Sequence, residues 1–178
     1  MKNVLVISSS LRKNSNSEQL AVSFADGAKS AGNEVEVISL QDKEIRFCIG
    51  CLVCQKTQRC FMHDDADAIR EKMLHADVLV FATPIYYYEM SGILKTMLDR
   101  ANPLYSSDYQ FREIYVLATA AEDEKHVPEK AFSGIEGWVD CFEKAKLVST
   151  LFCGGVTEPG EINDNSKLKE AYEMGRNI

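Results

Sequence analysis

The sequence has no excess of positive charge, no long apolar run and no basic leader, and each absence excludes a class of protein. Its 178 residues include 20 Lys and Arg against 27 Asp and Glu, which gives a net charge of −7. This balance argues against a nucleic-acid groove or an anionic membrane surface as the partner. No stretch approaches the ~20 consecutive apolar residues of a membrane span. The first segment is a strand with one Lys and not a secretory leader, so a cytoplasmic protein is expected.

The glycine-rich nucleotide motifs are also missing. The first predicted strand, residues 3–7, leads directly into a polar loop, residues 8–17, that contains no glycine and no Gly-Lys-Ser/Thr ending. The loop is therefore neither a dinucleotide fingerprint nor a P-loop. A parallel strand, a loop and a helix N-terminus in this order direct backbone N–H groups and the positive end of the helix dipole at one spot, which suits a phosphate. Hydroxyls, amides and the Arg12 guanidinium must hold the ligand, and a monophosphate fits better than a pyrophosphate.

Apolar strands alternate with amphipathic helices along the whole chain, without repeats or low-complexity linkers. Strands are predicted at residues 3–7, 35–40, 78–82, 114–118 and 147–152. Ser15 with Glu18 three residues later fits a capping box that starts the first helix, and Asp64 and Asp65 start the next one. Residues 41–63 are predicted to be a long loop. Five strands joined by helical crossovers predict one α/β domain over residues 1–178, with a doubly wound parallel sheet and helices on both faces.

A second polar and aromatic loop follows the third strand. It covers residues 83–90 and contains one proline and three consecutive tyrosines. In an open parallel sheet, ligands bind outside the carboxyl ends of the strands at the switch point, so this loop, the first loop and a third that begins at Thr119 are expected to converge. Each loop taken alone fits an ordinary surface turn better than a ligand site. Together, a loop that can bind a phosphate and a proline-containing aromatic loop match flavin mononucleotide (FMN). This cofactor needs a phosphate-binding site at one end and a flat apolar pocket at the other.

The segments SSSLRKNSNS and ATPIYYYEMSGILKTMLDR resemble the NAD(P)H-dependent FMN reductases of the flavodoxin-like superfamily, and the resemblance covers nearly the whole chain. It implies a flavodoxin-like sheet with the strand order 2-1-3-4-5. It also implies FMN held without a covalent link, NAD(P)H as co-substrate, a small acceptor such as a quinone or a flavin, and a homodimer or higher homo-oligomer. Leu11 departs from the family pattern, in which many members have proline before the arginine.

The resemblance also assigns the binding residues. Residues of the first loop are expected to hold the phosphate, and residues that follow the third and fourth strands are expected to line the flavin ring. The expected FMN-binding residues are Ser8, Ser10, Arg12, Ser15, Asn16, Ser17, Thr83, Pro84, Ile85, Tyr86, Tyr87 and Thr119. No catalytic residue is assigned, because the cofactor supplies the reactive atom.

Four of the six cysteines lie in the predicted loop 41–63. Cys48, Cys51, Cys54 and Cys60 form the pattern C-x2-C-x2-C-x5-C, which resembles the compact motif of the iron–sulfur flavoproteins of the same superfamily. Three interpretations stay open: unligated thiols, which is the favoured one, a [4Fe–4S] cluster on the four thiolates, and zinc or a redox dithiol. The cluster makes electron transfer the alternative function. The two remaining cysteines, at positions 141 and 153, are expected to fill the core.

Overall fold

Six β-strands and six α-helices follow one another along the chain, and the computed structural model describes residues 1–178. The strands are β1 (Asn3–Ser8), β2 (Glu34–Ser39), β3 (Val78–Tyr86), β4 (Glu89–Met90), β5 (Glu113–Thr119) and β6 (Lys146–Cys153). The helices are α1 (Asn16–Ser30), α2 (Val53–Thr57), α3 (Asp65–His75), α4 (Gly92–Arg100), α5 (Glu129–Val139) and α6 (Ser166–Arg176), with a 3-10 helix at Asn102–Ser106. None of the helices combines the length and the apolar character needed to cross a membrane.

The five long strands form a parallel sheet in the order β2-β1-β3-β5-β6. This confirms the predicted fold and strand order, because β4 has two residues and pairs only with β3. Successive side chains of a strand point to opposite faces of the sheet. Accordingly, Leu5 and Ile7 of β1 belong to one buried cluster, and Val4 and Val6 belong to another. The sheet is therefore covered on both faces, and its carboxyl edge is the open place where loops can form a site.

Helix α1, which follows the first loop, crosses α6 closely. A Cβ atom on Gly27 of α1 would overlap the carbonyl oxygen of Tyr172, and one on Gly175 of α6 would overlap the carbonyl oxygen of Phe24. Only glycine allows the two backbones to approach so closely. Because the N-terminus of α1 follows directly from the first loop, this crossing also fixes the position of that loop.

The predicted loop 83–90 is largely a β-hairpin. Strand β3 continues through Pro84 to Tyr86, and Glu89 and Met90 pair back onto it as β4. The two residues between them, Tyr87 and Tyr88, have φ values of 50° and 67°. Two left-handed residues in a two-residue hairpin turn are normally Asn-Gly or a similar pair, so the sequence carried no signal for this turn. Left-handed backbone at two tyrosines is strained, and such strain often lies at functional sites.

The segment 41–63 is attached to the fold by a buried ion pair. Arg100 Nη1 donates to Asp64 Oδ2 at 2.6 Å, and both side chains are buried. The same guanidinium donates to the carbonyl oxygens of Arg46 at 2.8 Å and Met62 at 3.1 Å, near the two ends of the segment. Burial alone would raise the pKa of Asp64, but hydrogen bonds from Arg100 and from backbone N–H groups hold this pKa below its ordinary value. The segment also contains α2, a short helix that the sequence analysis did not predict.

Candidate functional site

A cavity lies at the carboxyl edge of the sheet, between the loops that follow β1, β3, β5 and β6. It is lined by Ser10, Arg12, Ser15, Asn16, Ser17, Pro84, Ile85, Tyr86, Thr119, Ala120, Ala121, Val156, Thr157 and Pro159. Nine of the twelve expected FMN-binding residues are among these lining residues. The structure therefore brings the first loop, the hairpin and the third loop together. That these residues bind FMN stays a prediction.

The N-terminus of α1 forms the polar end of the cavity. The Ser15 side chain caps this helix by accepting a hydrogen bond from Glu18 N at 3.3 Å, which confirms the predicted cap. Ser17 Oγ is buried without a hydrogen-bond partner, although Ser17 lines the cavity. A buried hydroxyl without a partner costs about 1–3 kcal/mol, so the site favours a ligand that supplies acceptors. The unpartnered hydroxyl and the positive end of the helix dipole both fit the phosphate of FMN.

Two expected phosphate ligands, which line the cavity, also contact the loop between β6 and α6. Arg12 donates from Nη1 to the carbonyl oxygen of Thr157 at 2.7 Å and from Nη2 to Glu158 Oε2 at 3.0 Å. Asn16 Nδ2 donates to the carbonyl oxygen of Glu158 at 2.9 Å, and Asn16 Oδ1 accepts from Ile162 N at 3.3 Å. Both side chains therefore fasten this loop onto the first loop. The sequence analysis missed this wall of the cavity, because residues about 145 positions apart leave no local pattern.

Two further expected binding residues lie beneath the cavity and do not line it. Thr83 Oγ1 accepts from Ser91 N at 3.0 Å, and Ser91 Oγ donates to Ser9 Oγ at 2.9 Å. Ser9 Oγ in turn donates to the carbonyl oxygen of Ala82 at 3.0 Å. This buried network ties the first loop to the hairpin and to the start of α4. Ser8 is also buried, and its Oγ has no hydrogen-bond partner.

The apolar end of the site continues into a second, adjacent cavity. The two cavities share Ile85, Ala120 and Ala121. Tyr87 lines only the second cavity and is 99% exposed, and its expected contact with the flavin ring stays a prediction. A polar cavity that opens into an apolar one beside an exposed tyrosine matches a ligand with a phosphate at one end and a flat ring at the other.

Contacts of Tyr88 fasten the hairpin to the loop that follows β5. Its hydroxyl donates to Glu122 Oε2 at 2.9 Å, and this hydrogen bond raises the pKa of Tyr88. Its ring stacks on the His126 ring with the centroids 5.9 Å apart, and Lys130 Nζ lies 5.5 Å from the centroid of the tyrosine ring. A Cβ atom on Gly154 would overlap the carbonyl oxygen of Glu122, so glycine there lets this loop approach the end of β6. The two walls of the apolar end are thus held relative to each other.

No three of the four cysteines of segment 41–63 come together. Cys48 and Cys51 are exposed, Cys60 is half-buried, and Cys54 is buried with its Sγ accepting from Asn102 Nδ2 at 3.1 Å. No three His, Cys, Asp or Glu side chains converge where they could hold a metal ion, so this arrangement of the thiols does not fit a cluster.

Of the two cysteines outside this segment, one is buried as predicted and the other is not. Cys153 is buried in the core at the end of β6, as expected. The expectation that Cys141 fills the core is wrong, because Cys141 is exposed. The reason is that α5 ends at Val139, so the helical spacing that predicted a buried position no longer applies at residue 141.

Comparison with known proteins gives one family match. The model of the NADPH-dependent FMN reductase family matches residues 2–127. An iron–sulfur flavoprotein of Methanocaldococcus jannaschii is 39% identical over 101 residues, which are 57% of this chain and 52% of the relative. An iron–sulfur flavoprotein of Methanosarcina thermophila is 27% identical over 173 residues, which are 97% of this chain and 91% of the relative. The chain thus spans about half the length of the first relative and most of the second.

Solved structures with the same fold cover the whole chain. The NAD(P)H:quinone oxidoreductase from Methanothermobacter marburgensis superposes with a TM-score of 0.79 at 21% identity, covering 99% of this chain and 95% of that one. An azoreductase from Bacillus anthracis superposes with a TM-score of 0.73 at 17% identity, covering 100% of both chains. At these identities, the likeness shows the shared fold.

Proposed function

The chain belongs to the NADPH-dependent FMN reductase family, and from this premise we propose that it is an FMN-dependent oxidoreductase that takes hydride from NAD(P)H and reduces a small acceptor such as a quinone or a flavin. The observation that carries the proposal is the cavity at the carboxyl edge, where hydroxyls at the N-terminus of α1 lie across from the apolar hairpin. Bound FMN would supply the hydride chemistry. The protein would bind the cofactor, orient it and cover one side of it.

The phosphate would lie at the polar end of the cavity. Ser10, Ser15 and Ser17 provide hydroxyls there, and the N-terminus of α1 provides backbone N–H groups and the positive end of its dipole. Arg12 lines the same end and brings a positive charge beside it. These groups complement a dianionic monophosphate without any lysine-bearing P-loop.

The flavin ring would lie at the apolar end. Pro84, Ile85 and Tyr86 form one wall there, and Thr119 with the two following alanines forms the other. NAD(P)H and the acceptor would use the exposed side of the ring in turn, beside Tyr87. One shared binding face predicts ping-pong kinetics, and no acid or base of the protein is assigned to the reaction.

A homodimer in the cytoplasm is the proposed form of the protein. Tyr87 is fully exposed beside the site, and Tyr86 is half-exposed next to it. Exposed aromatic side chains that lie together often mark an interaction surface, and a second copy of the chain would cover them. Light scattering on the purified protein measures this directly, and a monomer at micromolar concentration would contradict the dimer.

Steady-state kinetics of the purified holoprotein test the activity. The proposal predicts oxidation of NADH or NADPH in the presence of a quinone, with parallel double-reciprocal lines when both substrates are varied. The matched control is the same protein stripped of flavin, which should be inactive, and then reconstituted with FMN, which should recover the activity. Holoprotein that oxidises neither nucleotide with any quinone, azo compound or free flavin would rule out the proposal.

A second candidate function is electron transfer through a [4Fe–4S] cluster. It is favoured by the C-x2-C-x2-C-x5-C pattern over residues 48–60 and by relatives that are named iron–sulfur flavoproteins. The segment would have to change conformation for its four thiols to converge, because no three of them come together in this structure. Iron and acid-labile sulfide analysis of anaerobically purified protein distinguishes the two candidates: about four of each per chain supports the cluster, and none supports the plain reductase.

A further inference from the structure

One wall of the cavity comes from the loop between β6 and α6, at residues 156–162, which we call the flap. At one end of the flap, Val156 N donates to the carbonyl oxygen of Ala120 at 3.0 Å, next to the apolar end of the site. At the other end, the side chains of Arg12 and Asn16 hold it beside the N-terminus of α1. The flap therefore extends along the cavity from the ring end to the phosphate end.

Glu161 gives the flap its shape. Its Oε2 accepts hydrogen bonds from Thr157 N at 2.6 Å and from Glu158 N at 3.0 Å. These two bonds close a tight turn, and the two residues on either side of Glu158, Thr157 and Pro159, are flap residues that line the cavity. Hydrogen bonds between a carboxylate and backbone N–H groups are charge-assisted and stronger than neutral ones. Glu161 does not line the cavity itself, so it can act on a ligand only through the flap.

The side chain of Asn16 binds the flap through both of its polar atoms. Its Nδ2 donates to the carbonyl oxygen of Glu158, and its Oδ1 accepts from Ile162 N. Both of its polar atoms therefore help to hold the flap. Arg12 is likewise bound to Thr157 and Glu158. These contacts hold the flap against the phosphate end of the cavity.

We propose that the flap closes the phosphate end and selects a terminal monophosphate over a diphosphate, with Glu161 as its positioning residue. This inference rests on the proposed function, because it assumes that FMN occupies the cavity. The adenosine monophosphate part of FAD would have to continue past the first phosphate, through the position of the flap. It would also approach the carboxylate of Glu158, and like charges held close together are unfavourable.

The test is flavin binding to apoprotein that carries Glu161→Ala or Glu161→Gln. FMN, riboflavin and FAD are titrated separately against each variant and the parent, with flavin fluorescence as the signal. Glu170→Ala is the matched control, because Glu170 is an exposed carboxylate of α6 that pairs with Lys167 at 2.6 Å away from the flap, and its loss changes the net charge equally. Thermal unfolding of each apoprotein shows that all variants are folded.

The proposal predicts that Glu161→Ala weakens FMN binding by about tenfold, the effect of losing a charge-assisted hydrogen bond. The affinity for riboflavin, which has no phosphate, should stay within about twofold, and the preference for FMN over FAD should fall by about tenfold. Glu161→Gln should fall between Ala and the parent, because its amide oxygen keeps an uncharged acceptor. Glu170→Ala should keep the preference of the parent.

Two results would overturn the inference while leaving the proposed function intact. In the first, the parent binds FMN but both Glu161 variants keep its preference for FMN over FAD. In the second, all three flavins weaken by the same factor, which would show a general structural loss. If Glu161→Ala does not fold, the comparison between Glu161→Gln and the parent decides. A parent that binds no FMN would instead refute the proposed function, and the inference would fall with it.

Discussion

Replacing Asp64 by Asn tests how segment 41–63 is attached to the rest of the fold. Asp64 caps α3, with its Oδ1 accepting from Ala66 N at 3.1 Å, and it pairs with Arg100 through Oδ2 at 2.6 Å. Asn is as good a helix cap as Asp, so the variant keeps the cap at Oδ1. It removes the negative charge together with the Oδ2 acceptor that binds Arg100 and the backbone N–H of Arg46. The Arg100 guanidinium, whose side chain is 1% exposed, then remains buried without its counter-charge.

The expected magnitude follows from that burial. Removing one partner of a buried ion pair typically costs about 3–5 kcal/mol, because the remaining charge is uncompensated. The carbonyl oxygens of Arg46 and Met62 still accept from Arg100, which places the expected loss at about 3 kcal/mol, the lower end of that range. The double variant Asp64→Asn with Arg100→Met should recover part of the lost stability, because it also removes the unpaired charge of Arg100.

Hydrogen exchange and urea unfolding measure this loss, and pH supplies an independent check. The pKa of Asp64 is lower in the folded state than its ordinary value. Its contribution to stability is therefore complete above the ordinary carboxyl pKa and is lost as the pH falls through the folded-state pKa. Asp64→Asn should lack this acid-dependent part and should speed exchange in residues 41–63, while FMN affinity stays unchanged. Equal stability of parent and variant from neutral to acid pH would refute the role of the ion pair.

Three other predictions concern the site, the helix crossing and the cysteines. Arg12→Ala should weaken FMN binding by about 1.5–3 kcal/mol in a fluorescence titration while riboflavin affinity stays nearly constant, and equal weakening of both would point to loop disruption instead. Gly27→Ala should lower the urea midpoint, because its Cβ atom would overlap a carbonyl oxygen of α6. Gly137→Ala, whose Cβ atom meets open space within α5, should raise stability by up to about 1 kcal/mol. A Gly27→Ala variant more stable than Gly137→Ala would contradict the helix crossing. Replacing Cys51 and Cys54 together by Ser should leave FMN bound and NAD(P)H oxidation within about threefold of the parent, because neither residue lines the cavity. Loss of iron and of electron transfer in this variant would instead establish the cluster.

The sequence predicted the parts of the molecule that depend on local pattern. The strands and the Ser15 cap follow from apolar runs and helix-start residues. The strand order and most of the cavity-lining residues were instead implied by the resemblance to the FMN reductases. The flap was not predictable, because its contacts with Arg12 and Asn16 join opposite ends of the chain. The Tyr87–Tyr88 turn was missed because tyrosine is not a residue that turn propensities favour at positive φ.

The attachment of the cysteine segment was missed for a different reason. Asp64 was correctly predicted to cap α3, but its second oxygen also binds Arg100 at the far end of α4. A helix cap can be read from sequence because it is local. A partner 36 residues away on another helix can be identified only from the fold.

A crystal structure of the chain grown with FMN tests the central claim most directly. The account predicts one FMN per chain at the carboxyl edge of the sheet, with its phosphate against the N-terminus of α1 and within hydrogen-bond distance of Ser17 Oγ, which now has no partner. Its ring should lie against Pro84, Ile85 and Tyr86. FMN bound at another surface, or with its phosphate turned toward the hairpin, would contradict the account.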